Sequence, residues 1–252
     1  MSIQRSVDNR ARYILSYGET ERGQVYDGED VKYVYTGTPV LNTIFAANLR
    51  EEVSDRRIAE VLQFFLQRGV FPNWLVTPLS HPANLGRRLE RQGFVHAFDF
   101  YGMELELKGM RPIDRYGFRV EEVQELGEWS AACCEGFDVP APLRPAYRKV
   151  LMESGRSEKA SYRHYLGYWN GQPACTVSLV IDGEVAGVYW VSTVPSARRQ
   201  GLGAALLTQA LNHAKNEGCT IATLQSTEMG HRFYKGLGFQ DTYVEQGYEW
   251  RP

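Results

Sequence analysis

The residues best placed to do chemistry form one stretch: Val191-Ser192-Thr193-Val194-Pro195-Ser196-Ala197-Arg198-Arg199-Gln200-Gly201-Leu202-Gly203-Ala204. A strand-like run ends, a short basic turn follows, and Gly-x-Gly opens a helix-like run. The first N–H groups of a helix have no partner inside it, and the helix dipole is positive there. Glycine lets backbone approach a bulky anion without a Cβ in the way. Arg198 and Arg199 add positive charge. Together these features suit a pyrophosphate. A Rossmann-type dinucleotide loop would need a third glycine where Leu206 stands, and a parallel strand before it. A P-loop would need Gly-Lys-Ser/Thr, which is absent. Gly-x-Gly alone also fits a helix start with no ligand, so the flanking elements decide.

Those elements read clearly in the second half of the chain. Helical stretches near Glu125–Gly136 and Arg144–Glu153 precede three strands, Tyr162–Trp169, Cys175–Ile181 and Val185–Thr193. Asn170-Gly171 and Asp182-Gly183 between them are tight-turn signals, so an antiparallel meander is expected. A helix over Gly201–Glu217 carries Leu207, Ala210, Leu211 and Ala214 on one face, and Gly218 ends it. A strand at Thr220–Gln225, a helix at Met229–Leu237 closed by Gly238, and a last strand pair within Thr242–Trp250 complete the pattern. The seam Gly109-Met110-Arg111-Pro112 separates two strand-like runs, Met103–Leu107 and Phe118–Val123. It divides the chain into 1–110 and 111–252.

Arg198-x-x-Gly201-x-Gly203 after a proline-ended strand resembles the acetyl-CoA loop of the GNAT superfamily of N-acetyltransferases. Tyr234-x-x-x-Gly238-Phe239 resembles that family's Tyr-x-x-x-Gly-Phe helix end, and the elements from about Phe118 to Trp250 follow family order. The resemblance implies a mixed-sheet α/β (α+β) fold. It implies acetyl-CoA as cosubstrate, an amine acceptor, direct attack of the amine on the thioester, and no metal. The pantetheine arm would pair with Val191, Ser192 and Thr193, and a backbone N–H near Thr193 would hold the oxyanion. Arg198, Arg199, Gln200, Gly201, Leu202, Gly203 and Ala204 would surround the pyrophosphate. Thr227 stands where the family often has an Asn near the pantetheine. Tyr234 would protonate the leaving thiolate, a phenol near ~10 serving a thiol near ~8.5; it also fits as a packing aromatic.

The sequence departs from the family at the general base. Neither Val185–Val191 nor Ile221–Gln225 carries Glu or His, and Glu184 and Glu228 lie at strand ends. The amine would lose its proton through water or arrive neutral. A non-catalytic acyl-CoA sensor or scaffold is the alternative function. His164 and His231 are isolated, Cys133-Cys134 reads as packing, and Arg87-Arg88-Leu89-Glu90-Arg91 as a solvated helix face.

The first half repeats the end of the second. Leu89-Glu90-Arg91-Gln92-Gly93-Phe94 mirrors Tyr234-Lys235-Gly236-Leu237-Gly238-Phe239 at an offset of 145 residues. The same offset pairs Gly102 with Gly247 and Glu104 with Glu249, and sets the expected helix Ser54–Arg68 against Gly201–Glu217. Identities at one offset on matching elements suggest an internal duplication, the alternative being chance similarity between two α/β units. At that offset Gly201 falls on Arg56, Gly203 on Ile58, Arg198 on Val53 and Tyr234 on Leu89. The first half therefore reads as a degenerate copy, two tandem domains in all, that packs on the second and walls the acceptor site.

Composition narrows the remaining classes. The chain has 252 residues and a formal net charge of −2, so bulk electrostatic binding to nucleic acid or anionic membrane is not expected. No apolar run approaches the ~20 residues that span a bilayer. The start, MSIQRSVDNRARY, lacks a signal-peptide core. Cys133, Cys134, Cys175 and Cys219 fit neither a disulfide framework nor a zinc pattern. A cytoplasmic protein with reduced thiols is expected. The acceptor's identity and any homodimer are not readable.

Overall fold

The structure, a computed structural model, describes residues 3–157 and 160–251. The first half contains α1 (Gln4–Ser16), β1 (Gln24–Asp27), β2 (Lys32–Tyr35), β3 (Thr43–Phe45), α2 (Ser54–Leu66), β4 (Asn73–Val76), α3 (Leu85–Arg91) and β5 (Phe94–Glu106). The second contains β6 (Phe118–Glu122), α4 (Gly127–Gly136), α5 (Arg144–Ser154), β7 (Ser161–Trp169), β8 (Gln172–Asp182), β9 (Val185–Thr193), α6 (Leu202–Asn216), β10 (Ile221–Ser226), α7 (Glu228–Gly236) and β11 (Gln240–Trp250). All eleven strands join one mixed sheet in the order β1-β2-β3-β4-β11-β5-β10-β9-β8-β7-β6.

The expected α/β class and the meander hold. β7, β8 and β9 are antiparallel neighbours, with β6 added beside β7. One turn moves by a residue: Asp182 pairs with Val185, so the loop is Gly183-Glu184 and not Asp182-Gly183. The helical stripe is buried as its spacing demands, with Leu207, Ala210, Leu211 and Ala214 all under 3% exposed.

The expected final strand pair is instead one strand of 11 residues, β11. It needs no hairpin partner of its own because the first half supplies one. β5 lies between β10 and β11, and β11 lies between β5 and β4. β4 and β10 are equivalent: each is parallel to the strand that precedes its helix, β3 or β9. Each half therefore sends its last strand against the other half's penultimate strand.

The β5–β11 register obeys the offset of 145 residues found in the sequence. Phe98 pairs with Gly247, Gly102 with Tyr243 and Phe100 with Glu245. Shifting by that offset exchanges the first two pairs and returns the third to itself. A local two-fold axis thus passes between Phe100 and Glu245. The two glycines sit beneath the facing rings, where a Cβ would run into Tyr243 or Phe98.

The helices correct the ungapped alignment. α2 begins at Ser54 and α6 at Leu202, an offset of 148 residues. Gly201 therefore stands opposite Val53 and Gly203 opposite Asp55, not Arg56 and Ile58. The three-residue difference is absorbed between α2 and α3, before the repeated Gly-Phe ends.

Each half has a core that the other half completes, Tyr248 entering the first and Met103 the second. Ile58, Phe65, Trp74, Leu89 and Phe94 anchor the first, and Trp129, Leu207, Leu211, Leu224 and Phe239 the second. A third cluster joins them: Tyr13, Ile14 and Tyr17 of α1 with Phe45, Leu75, Val180 and Tyr189. Side chains alternate across a strand, so Tyr189 and Thr223 meet α1 while Val188, Ala222 and Leu224 face the core that contains α6. α1 of the first half thus covers the face of the second half's sheet opposite α6.

Candidate active site

β9 and β10 pair only over Val185–Gly187 and Ile221–Thr223. Beyond Gly187 and Thr223 they separate and leave a V-shaped opening. The cause is a bulge: one extra residue of β9 lies between its pairings with Ser178 and Thr176 of β8. Trp190 takes φ +53° there, unusual for a bulky side chain. The Thr176 hydroxyl pins the bulge, 2.8 Å from the Trp190 carbonyl oxygen and 2.8 Å from Ser192 Oγ. No periodic signal marks Trp190 or Thr176, and sequence reasoning passed over both.

The strand then runs through Val191, Ser192 and Thr193 to a single tight turn, Pro195–Ala197. Gly201 caps α6 at φ +74°, with no side chain capping the first turn. The N–H groups of Leu202, Gly203 and Ala204 begin the helix unpaired within it. Gly203 lies close against the strand, since a Cβ there would be 3.1 Å from Thr193 Oγ1. Arg199 and Gln200 are exposed beside it.

Arg198 points another way. Its guanidinium donates to the Thr193 carbonyl at 3.1 Å, the Gly136 carbonyl at 2.9 Å and Asp138 Oδ2 at 2.9 Å. It ties the loop to the end of α4, and its charge is balanced by Asp138.

Tyr234, on α7, packs edge-on against Phe233 and Phe239 with ring centroids 5.0 and 5.7 Å away. No hydrogen bond engages its hydroxyl among the described residues. Burial pushes its phenol well above the ordinary value, so it stays protonated. Thr227 caps α7, accepting from the Gly230 N–H at 3.2 Å, which leaves its own O–H free to donate.

The other candidate groups are committed elsewhere. His164 is buried between Ser178 Oγ at 2.7 Å and the Gly155 carbonyl at 3.0 Å, and burial pushes it down to about 4. His231 pairs with Asp241 at 2.6 Å. Glu184 accepts from Thr220 at the closed end of the V. The four cysteines are buried free thiols, and burial raises each one's pKa. No metal-holding group of His, Cys, Asp or Glu occurs among the described residues.

The face of the V opposite α6 is built by α1, which sequence reasoning did not place there. Ser6 contacts Thr223, Asn9 accepts from the Tyr189 hydroxyl at 2.8 Å, and Tyr13 stacks on Tyr189 at 3.6 Å. Gln225 donates to the Tyr243 hydroxyl at 3.0 Å, and Arg10 pairs with Glu245 at 3.0 Å. Glu104 faces the same side, cross-strand from Thr223, with Arg5 3.6 Å away. The residues 1–110 thus supply one wall of the opening.

Residues 123–239 match the Acetyltransferase (GNAT) family. Solved structures share the fold along nearly the whole chain. A GCN5-related N-acetyltransferase from Kribbella flavida is 19% identical with a TM-score of 0.73, over 97% of this chain and 95% of its own. One from Sphaerobacter thermophilus is 16% identical with a TM-score of 0.65, over 88% and 78%. A tandem GNAT protein from the clavulanic acid biosynthesis pathway is 12% identical with a TM-score of 0.61, over 98% and 96%.

Proposed function

We propose that this chain is an N-acetyltransferase. Its unit 111–252 passes the acetyl group of acetyl-CoA to a primary amine, and its unit 1–110 is a related copy that binds no cofactor. The observation that carries the reading is the parting of β9 and β10 at Gly187 and Thr223, in front of the Gly201 helix start. The pantetheine arm lies in that opening along Val191–Thr193. The pyrophosphate meets the N–H groups of Leu202, Gly203 and Ala204, with Arg199 and Gln200 at its side. Arg198 shapes the loop, and the Thr227 O–H reaches the arm.

The amine lone pair attacks the thioester carbon, the carbon–sulfur bond breaks, and the thiolate takes its proton from the Tyr234 hydroxyl. The extra proton on the new amide nitrogen leaves through water, and the tyrosinate is reprotonated from solvent. Tyr234→Phe keeps the ring packing and removes the proton. Its kcat is expected to fall ~10²-fold or more with little change in acetyl-CoA affinity. An unchanged rate would place Tyr234 in a packing role.

The copy in 1–110 lacks the glycine helix start: Val53 and Asp55 stand where the second half has Gly201 and Gly203. Around its helix start stand Glu51, Glu52 and Asp55, and Arg88 pairs with Glu51 at 3.1 Å and Asp55 at 3.0 Å. Calorimetric titration of the whole chain is expected to give one acetyl-CoA per chain. A value near two would sink the degenerate-copy reading. An amine panel assayed for free CoA release tests the transfer itself. Binding without release across the panel would favour the sensor reading, which draws its support from the absence of Glu or His on β9 and β10.

A further inference from the structure

The segment between β5 and β6 is strapped along α6, in the direction opposite to the helix. Lys215 donates to the Met110 carbonyl at 3.0 Å near the helix end. Further along, the Ile113 N–H donates to Thr208 Oγ1 at 3.0 Å, and Gln209 donates to the Ile113 carbonyl at 3.2 Å. The strap thus delivers the next residues to the start of α6. There the Arg115 guanidinium lies over Gly201: a Cβ on that glycine would be 2.6 Å from Arg115 Nη2 and 3.1 Å from its Cζ.

This placement is costly as it stands. The start of a helix is already positive, and a cation there is unfavourable. Arg115 has no carboxylate or hydrogen-bond partner for its guanidinium among the described residues. Arg199 adds a second exposed cation within the same turn. Arg198, by contrast, is neutralised by Asp138. Two uncompensated arginines and a set of free N–H groups leave a site that only an anion balances.

We infer that Arg115, from the connecting segment, is a clamp for the pyrophosphate of the CoA moiety, closing over the α6 loop at Gly201. The inference rests on the cofactor reading above. It makes the segment that joins the two halves part of the cofactor site. The planar guanidinium suits two phosphate oxygens at once, and the absent Cβ of Gly201 gives it room.

The test compares CoA with dephospho-CoA, which keeps the pyrophosphate and lacks the 3′-phosphate. Both are titrated into the whole parent chain and into Arg115→Ala. The variant is expected to bind both ligands at least tenfold more weakly, by similar factors, with the ligand-free melting temperature equal to or slightly above the parent's. Equal affinity in variant and parent overturns the clamp while leaving the cofactor reading intact. A loss confined to CoA also overturns it, because Arg115 would then read the 3′-phosphate. If the parent binds neither ligand, the cofactor reading itself fails and the clamp falls with it.

Discussion

Acetyl-CoA at a hundredfold excess over its Kd is expected to raise the melting temperature of the chain by about 5–10 °C and to leave that of Gly203→Asp unchanged. The first figure combines the ~2.7 kcal/mol such saturation supplies with the usual ~2–4 °C per kcal/mol for a chain of this size. The second follows from position. Gly203 is the second residue of α6, and its Cα faces Thr193 closely enough that a Cβ would be 3.1 Å from Oγ1. An aspartate there puts a carboxylate where the pyrophosphate would lie and accepts the N–H groups the ligand needs. The same carboxylate suits the positive helix start, so the ligand-free fold is retained. Thermal shift with and without acetyl-CoA reads both parts. A variant that shifts like the parent means the ligand does not use this loop.

The unit 111–252, expressed from Arg111, is expected to show no cooperative melting and no transferase activity. Removing residues 1–110 removes β5, which pairs with β10 over Ile221–Ser226 and with β11 from Gln240 to Trp250. Two neighbouring strands would lose their common partner and present bare edges. Met103, fully buried against Leu224, would leave a hole in the core beside Phe239. α1 would go too, exposing Tyr189 and Thr223. Size-exclusion chromatography and a melting scan decide the matter. A stable, monomeric and active fragment would show the first half to be a separable module.

What the sequence made legible follows from how local the causes are. The meander, α6 and α7 came from turn residues and periodicity, which act within a few residues. The repeat came through because Gly102 and Gly247 lie beneath Tyr243 and Phe98, a constraint of one atom that leaves one residue type in place. The crossing of β5 and β11 did not come through, because strand alternation states a face and not a neighbour. The bulge at Trp190 was invisible for a related reason: it is held by Thr176, on another strand. Arg198 was read as a ligand for anions because its spacing to Gly201 is local, whereas its partner Asp138 is brought to it by α4. Arg115 lies 86 residues before Gly201, and only the strap along α6 joins them.

The two-fold axis between β5 and β11 has a consequence for what residues can stand on it. In a pair of identical chains, the residue on such an axis meets its own copy, so a buried carboxylate would face a second carboxylate. Within one chain that restriction is lifted. Phe100 meets Glu245, and the single acid, 2% exposed, takes a single counter-ion from Arg10, whose guanidinium also lies over the Phe100 ring. Fusion thus lets the central position hold two different residues. The copies differ at the one place where identity would otherwise be compulsory, and from there they are free to take unequal tasks.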